Sequence, residues 1–287
     1  MRLAIATCAD WPALHENDKP LIALFAKQAI AVEPAVWNDA NIDWRSYDAV
    51  LIRSVWDYHL HIDAFIKWLD KLESLKVKVL NPVATIRQNL NKFYLHDLQQ
   101  HGVEIIPTLF LEKTKSLDLS GVKSRGWQNC VIKPAVSAGA WHTRAFNLNE
   151  LPEIEKEFKT IAAEYELLVQ PFVEEVKTQG EISLLFFNRQ YSHAVLKVPQ
   201  PGDFRVQQQH GGITTPYEPP LPVIQTAEKI LQLIQGELLY ARVDGIVIDG
   251  KFQLMELELI EPFLFFDYKE GTMEKFVAEA AALFRSA

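Results

Sequence analysis

The chain has 287 residues, 48% hydrophobic and 23% charged, the balance of a globular protein with a sizeable core and room for two or three packed subdomains. Its net charge of −8 and pI of about 5.5 argue against nucleic acid as the main partner, because a phosphate backbone needs a basic face; a nucleotide held by a few lysines and a metal stays open. Two cysteines, Cys8 and Cys130, exclude a disulfide framework and a four-cysteine zinc site, and read as buried reduced thiols of a cytoplasmic protein.

The apolar start, residues 1–9, is too short for a signal peptide and reads as a first buried strand over 3–7. No apolar run approaches the ~20 residues of a membrane span. Residues 20–31 carry Leu21, Leu24, Phe25 and Ala29 at helical spacing after Pro20, a residue suited to a helix start. The run 49–53, Ala-Val-Leu-Ile-Arg, reads as a parallel strand buried on both faces with Arg53 at its carboxyl end. A helical stripe of Ile62, Phe65, Ile66, Leu69 and Leu72 follows, then a strand over 77–80 stopped by Asn81-Pro82. This alternation is the rhythm of a doubly wound sheet, in which ligands bind beyond the carboxyl ends of strands. Arg53 and the next residues, Trp56-Asp57-Tyr58, are therefore candidates for a ligand site; the alternative is that Arg53 makes a surface ion pair and Trp56 packs.

Residues 91–100 look helical, 105–108 read as a strand start, and a loop with Gly121, Ser124 and Gly126 leads to a strand over 130–134. The small-residue stretch 135–140 comes next, then a charged helix over 150–163 and a strand over 167–173 interrupted by Pro171. Residues 182–187 and 191–198 alternate around Asn188-Arg189, a hairpin signal. The stretch 199–220, rich in Pro, Gly and Gln, reads as an ordered loop or lid. A helix over 224–234, a hairpin of 240–248 and 252–259 turning at Asp249-Gly250, and a helix over 273–284 complete the chain.

The late hairpin carries the strongest chemical signal. Glu256 and Glu258 are two apart on one strand, so they share a face, and Asp244 sits on the partner strand. Three carboxylates in an apolar segment repel one another unless a cation lies between them, and Mg²⁺ takes oxygen ligands from carboxylates and phosphates. The alternative is a solvated polar face. Lys133, at a strand end beside the loop 135–140, could neutralise phosphates that backbone N–H groups cradle. Taken alone, Lys133 and Lys92 are more often surface charges. The segment 199–212 offers Arg205, suited to carboxylate or phosphate recognition, and paired glycines that allow close backbone approach. Taken alone, its His210 would be structural.

In this order the motifs resemble the ATP-grasp superfamily, with bacterial glutathione synthetase as the nearest familiar relative and D-alanine–D-alanine ligase and ribosomal-protein glutamate ligases further off. Asn91-Lys92 resembles the first ATP lysine, and Ile132-Lys133-Pro134 the second, which touches the α- and β-phosphates; Ser137 and Gly139 lie in the loop after it. Leu168-Val169-Gln170-Pro171-Phe172-Val173 resembles the strand whose backbone binds adenine, and Glu181 falls where the family has its ribose acid. The stretch from Val198 to Gly211-Gly212, through Arg205, is similar to a glutathione synthetase loop whose arginine contacts the acyl phosphate or the substrate carboxylate. Arg242, Asp244, Glu256 and Glu258 match the terminal motif. The pattern, including Arg53 to Tyr58, also resembles the cyclising ATP-grasp enzyme of D-cycloserine biosynthesis.

The resemblance implies an α/β (α+β) ATP-grasp fold. It would comprise a doubly wound preATP-grasp substrate domain (1–88), a central subdomain with the phosphate-binding lysines (89–173), and a C-terminal subdomain with the metal-binding carboxylates (174–287). It implies ATP as cosubstrate and two Mg²⁺ ions, or Mn²⁺, held by Asp244, Glu256 and Glu258. Lys92, Lys133, Ser137, Gly139, Gln170, Phe172, Val173 and Glu181 would bind the nucleotide, and Arg205 and Arg242 would be catalytic. Arg53, Asp57, His210 and Gly211 are the substrate candidates. The implied reaction joins a small-molecule carboxylate to an amine through an acyl phosphate. Its rivals are an intramolecular cyclo-ligase and a nucleotide-binding regulator without turnover. A homo-oligomer is open, since many relatives are dimers or tetramers. Three departures bear on the substrate: Glu258 stands where many relatives have asparagine, Phe263 where glycine is common after the proline, and the loop 135–140 has a single glycine.

Overall fold

The computed structural model describes residues 1–206 and 210–285, arranged as three sheets with helices packed against them. The first third contains β1 (Arg2–Thr7), α1 (Pro20–Lys27), β2 (Ala31–Val36), β3 (Ala49–Ser54), α2 (Ile62–Ser74), β4 (Lys78–Leu80) and α3 (Val83–Asn89). Its strands form a parallel sheet of order β2-β1-β3-β4. Strand alternation divides the side chains between two cores: Leu3, Ile5, Ala49 and Leu51 point one way, and Ala4, Ala6, Val50 and Ile52 the other. Phe65, Trp68, Leu69 and Leu72 of α2 cover the second face. On the first face lie Leu21 and Phe25 of α1, with Phe276 and Ala280 of the C-terminal helix α9 (Thr272–Arg285). Every residue of β3 is buried, as expected for a strand covered on both faces.

The middle of the chain contains α4 (Tyr94–Gln100), β5 (Leu109–Leu111), α5 (Ser120–Ser124), β6 (Asn129–Pro134), β7 (Arg144–Asn147), α6 (Leu151–Glu164) and β8 (Leu167–Pro171). These strands make an antiparallel sheet of order β5-β8-β6-β7, covered by Ile154, Phe158 and Ala162 of α6. The last third begins with α7 (Glu175–Thr178), β9 (Glu181–Phe187), β10 (Gln190–Val198) and β11 (Ile213–Tyr217). It continues with α8 (Leu221–Gln232), β12 (Tyr240–Ile248) and β13 (Lys251–Glu258) before α9. Its antiparallel sheet runs β11-β10-β9-β12-β13, packed against Val223, Ala227, Ile230 and Leu231 of α8. Both hairpins turn where the sequence signals them: Asn188 and Arg189 take φ of 47° and 62°, and Asp249 and Gly250 take 51° and 76°.

Four sequence expectations need correction. The helix predicted over 20–31 ends at Lys27, because Ala29 adopts a φ of 57° and the chain enters β2. The strand expected to start at Ile105 starts at Leu109; Ile105 makes only an isolated bridge to Leu254. The helix expected over 91–100 begins at Tyr94, after the separate helix α3. The stretch 199–220 is not wholly a loop, since it contains β11. The glutamines at 207–209 in that stretch lie outside the described residues. Among the described residues, no helix is long and apolar enough to cross a membrane.

Candidate active site

A cavity of about 780 Å³ opens between the three sheets and gathers side chains from β6, β8, β9, β10, β12 and β13. The β12–β13 hairpin sets its acidic side. Arg242 stands opposite Glu258 and Asp244 opposite Glu256, so alternation aims all four to one face. The register shifts between Asp244 and Gly245. Gly245 has no room for a side chain there: a Cβ would lie 2.5 Å from the Gln253 carbonyl oxygen.

These charges are held in a chain of ion pairs, buried around Asp244 and partly buried at Glu256 and Glu258. Asp244 accepts from Arg242 Nε at 3.0 Å, Lys197 Nζ at 3.3 Å and Ser183 Oγ at 2.6 Å. Lys197 also pairs with Glu181 at 2.5 Å. Arg242 reaches on to Glu258, and Lys92 pairs with Glu256 at 3.3 Å while donating to the Ser137 carbonyl at 2.6 Å. Burial alone would raise the Asp244 and Glu256 carboxyls. Arg242 and Lys197 outweigh it for Asp244, and Lys92 and Lys133 for Glu256, so both lie below their ordinary values. Glu258 has no such surplus: burial, with Asp244 and Glu256 nearby, pushes it up to about 7 despite Arg242. Glu261, just beyond β13, is pushed up to about 8 by burial and by Glu258.

Lys133 and Val131 share one face of β6 and line the cavity opposite the hairpin. Burial lowers the Lys133 ammonium, with Glu256 opposing. Ser137 and Gly139 line the wall beside Lys92; Ser137 Oγ donates to the Pro134 carbonyl at 3.0 Å and Gly139 turns the loop at a φ of 59°. Gln170, Phe172 and Val173 follow on the far side, with Gln170 Nε2 donating to Thr108 Oγ1 at 2.9 Å and the Phe172 ring against Phe204. Arg205 lines the cavity and is forked onto Asp203, at 2.8 Å from its Oδ2.

The four substrate candidates do not line this cavity. Arg53 is 2% exposed and pairs with Asp18 at 3.1 Å, donating also to the Pro262 carbonyl. It is the ion pair of the alternative reading, buried instead of at the surface. Asp57 accepts from Trp37 Nε1 at 2.7 Å. His210 has a buried Nε2 without a hydrogen-bond partner among the described residues, and Gly211 turns the chain at a φ of 81° beside the Gln200 side chain. The sequence reading missed Lys197, Ser183, His59 and Glu261. A lysine inside the apolar run of β10 was the available signal for Lys197, and a third glutamate directly before Pro262 was the signal for Glu261.

Three carboxylates converging on one ion are not realised: among the described residues, no three His, Cys, Asp or Glu side chains could hold a metal. Asp244 is taken up by Arg242, Lys197 and Ser183. The donor chemistry nonetheless fits a hard divalent cation. The donors are all oxygen, Asp244 buried and Glu256 and Glu258 partly so, and the Glu258 carboxyl pushed upward marks unrelieved negative charge.

Residues 3–81 match the family model described as the N-terminal domain of D-cycloserine synthetase DcsG. The chain is 27% identical over 202 residues to the cycloserine biosynthesis protein DcsG of Streptomyces lavendulae, covering 68% of this chain and 67% of that one. The crystal structure of D-cycloserine synthetase DcsG superposes with a TM-score of 0.90 at 24% identity, over 99% of this chain and 100% of that one. The ATP complex of D-alanine–D-alanine ligase from Bacillus anthracis superposes with a TM-score of 0.71 at 15% identity, over 100% of this chain and 99% of that one. The chain has the fold of the ATP-grasp ligases.

Proposed function

We propose that this protein is an ATP-grasp ligase that activates the carboxyl group of a small molecule as an acyl phosphate and captures it with a nitrogen nucleophile, forming an amide bond. The observation that carries the reading is a single cavity in which two lysines, Lys92 and Lys133, face the Asp244–Glu256–Glu258 hairpin. Cations and an acidic cluster at such close quarters suit a polyphosphate and its metal, which neither group would hold alone. Residues 1–88 would carry the substrate side, and 89–173 and 174–287 the two halves that clasp ATP.

Lys92 and Lys133 would offset charge on the phosphates, and Glu181 would hold the ribose. Gln170, Phe172 and Val173 would flank the base. Glu256 and Glu258, with Asp244 behind them, would hold Mg²⁺; when bound, the ion supplies charge neutralisation at the phosphate oxygens. A substrate carboxylate oxygen attacks the γ-phosphorus and ADP leaves. The nitrogen then attacks the acyl carbon, and phosphate departs with the bonding pair of the broken C–O bond. Arg205 and Arg242 would stabilise the developing oxyanion. His59, which lines the cavity with an Nδ1 that has no hydrogen-bond partner among the described residues and is lowered by burial and by Lys92, would be a neutral base for the attacking nitrogen's proton.

A narrower reading, in which the nitrogen and the carboxylate belong to one molecule, is favoured by the match of residues 3–81 to the N-terminal domain of a cycloserine synthetase. Hydroxylamine trapping tests the general reading: hydroxamate should accumulate with ATP, Mg²⁺ and a competent carboxylate. ADP release with no trappable acyl group would contradict it. Product mass then separates the readings, since ring closure yields a product one water lighter than the substrate.

A further inference from the structure

β13 is the outer strand of its sheet, with β12 as its one neighbour. Leu257 and Leu259, which alternate with Glu256 and Glu258, are nevertheless only 1% and 2% exposed. Backbone groups enclosed in this way are costly to leave without a partner. Midway along the outer side, the backbone of residues 104–106 supplies partners: Leu254 N–H donates to the Glu104 carbonyl at 2.9 Å, and Ile106 N–H donates to the Leu254 carbonyl at 3.1 Å. Beside the two glutamates the partners are side chains instead. The Tyr94 hydroxyl accepts from Leu257 N–H and donates to the Leu257 carbonyl, both at 2.9 Å. Asn89 Nδ2 donates to the same carbonyl at 2.8 Å, and Asn89 Oδ1 accepts from Leu259 N–H at 2.8 Å.

Both side chains come from one short stretch. Asn89 ends α3, Tyr94 begins α4, and Lys92 lies between them. Lys92 pairs with Glu256 at 3.3 Å, and its backbone N–H donates to the Ala135 carbonyl at 3.0 Å. The stretch 89–94 therefore braces β13 on one side and the start of the loop 135–140 on the other. Glu256 and Glu258 carry like charge on one face, and a strand paired along one edge only can twist or bulge to part them. The hairpin already shifts register between Asp244 and Gly245. The hydrogen bonds from Asn89 and Tyr94 fix the backbone between the two glutamates and just after the second.

We propose that Asn89 and Tyr94 are positioning residues, which clamp the outer edge of β13 and so hold Glu256 and Glu258 at the spacing that receives the metal. The inference rests on the ligase reading above and extends it to residues that act on the metal only through these two acids.

The test uses single substitutions in the full chain. Tyr94→Phe deletes one oxygen, and Asn89→Ala removes both hydrogen bonds to β13. Ile154→Val, in the core under α6, controls for lost stability alone. Affinity for a non-hydrolysable ATP analogue is measured calorimetrically with EDTA and with Mg²⁺, and the ratio reports what the metal contributes. Tyr94→Phe and Asn89→Ala should keep the metal-free affinity and lose about tenfold or more of the enhancement by Mg²⁺, while Ile154→Val keeps both. Hydrogen exchange without metal or nucleotide gives a second readout. Compared with Ile154→Val, the Leu257 amide should exchange at least about tenfold faster in Tyr94→Phe, and the Leu259 amide in Asn89→Ala. Circular dichroism checks folding, and either variant decides the matter if the other does not fold. An unchanged Mg²⁺ enhancement, the same loss in Ile154→Val, or unchanged exchange at both amides would overturn the clamp. So would an equal loss with and without Mg²⁺, which would make the pair a support for Lys92. A wild type whose nucleotide binding Mg²⁺ does not strengthen would instead overturn the ligase reading, whatever the exchange rates show of the strand edge.

Discussion

Asp244 and Glu256 stand opposite each other across the β12–β13 hairpin, each held by different cations: Arg242 and Lys197 grip Asp244, and Lys92 grips Glu256. The two acids therefore differ in what they do for the fold. Asp244→Asn leaves two buried cations short of a partner and should cost about 3 kcal/mol, lowering the midpoint of thermal unfolding. Glu256→Gln, facing only Lys92 at close range, should cost less. Both should reduce ADP release on the order of 10²-fold or more. Unfolding curves and turnover measured on the same preparations check the split.

Lys133 is the opposite case. No described residue pairs with it, and burial depresses its ammonium. Lys133→Met should therefore leave stability unchanged or slightly raised while weakening nucleotide binding and cutting turnover by about 10²-fold. A large drop in the unfolding midpoint would mean that Lys133 is structural.

The two carboxyls pushed upward set a pH dependence for the metal-free, nucleotide-free protein. Glu258 and Glu261 move from the ordinary value of 4.5 to about 7 and about 8, so between these limits the folded state binds more protons than the unfolded one. Stability must then fall as pH rises through this window. His193, lowered from 6.5 to about 4 by burial, works the other way but only below about 6.5. The prediction is a declining unfolding free energy from about pH 6.5 to 8, and a flatter profile once Mg²⁺ and ATP are added. Denaturant titrations across that range check both.

Arg53→Met should break the buried pair with Asp18 and cost about 3–5 kcal/mol. The double variant Arg53→Met, Asp18→Leu should recover much of it. Because Arg53 does not line the cavity, KM for the carboxylate should be unchanged in whichever variant folds. A KM rise of tenfold or more at unaltered stability would return Arg53 to the substrate site.

Much of this architecture is written in local pattern. The buried strands β1, β3 and β9 are apolar runs, and both hairpins carry their turn residues in the sequence. The strands missed or misplaced, β2, β5, β7 and β11, are all edges of their sheets. Edge strands need satisfy only one neighbour, so they tolerate Pro34, Pro216 and exposed polar residues that erase the alternation. The acids of the β12–β13 hairpin were legible because period-two spacing places them on one face. Their cations were less so: Lys197 joins Glu181 and Asp244 only through the pairing of β10 with β9 and β12 with β9, a relation no single stretch of sequence contains. Arg53 illustrates the converse, a charge at a strand end whose partner, Asp18, lies 35 residues away.

The central claim is ATP-dependent activation of a carboxylate. The direct measurement is ADP release with Mg²⁺ and ATP across a panel of amino acids, dipeptides and amines, beside an Asp244→Asn, Glu256→Gln control that retains its fold. The account predicts release that requires a particular carboxylate, is accompanied by a product containing a new amide, and vanishes in the control. A wild-type chain that binds no ATP, or that releases ADP equally with and without any carboxylate, would contradict it.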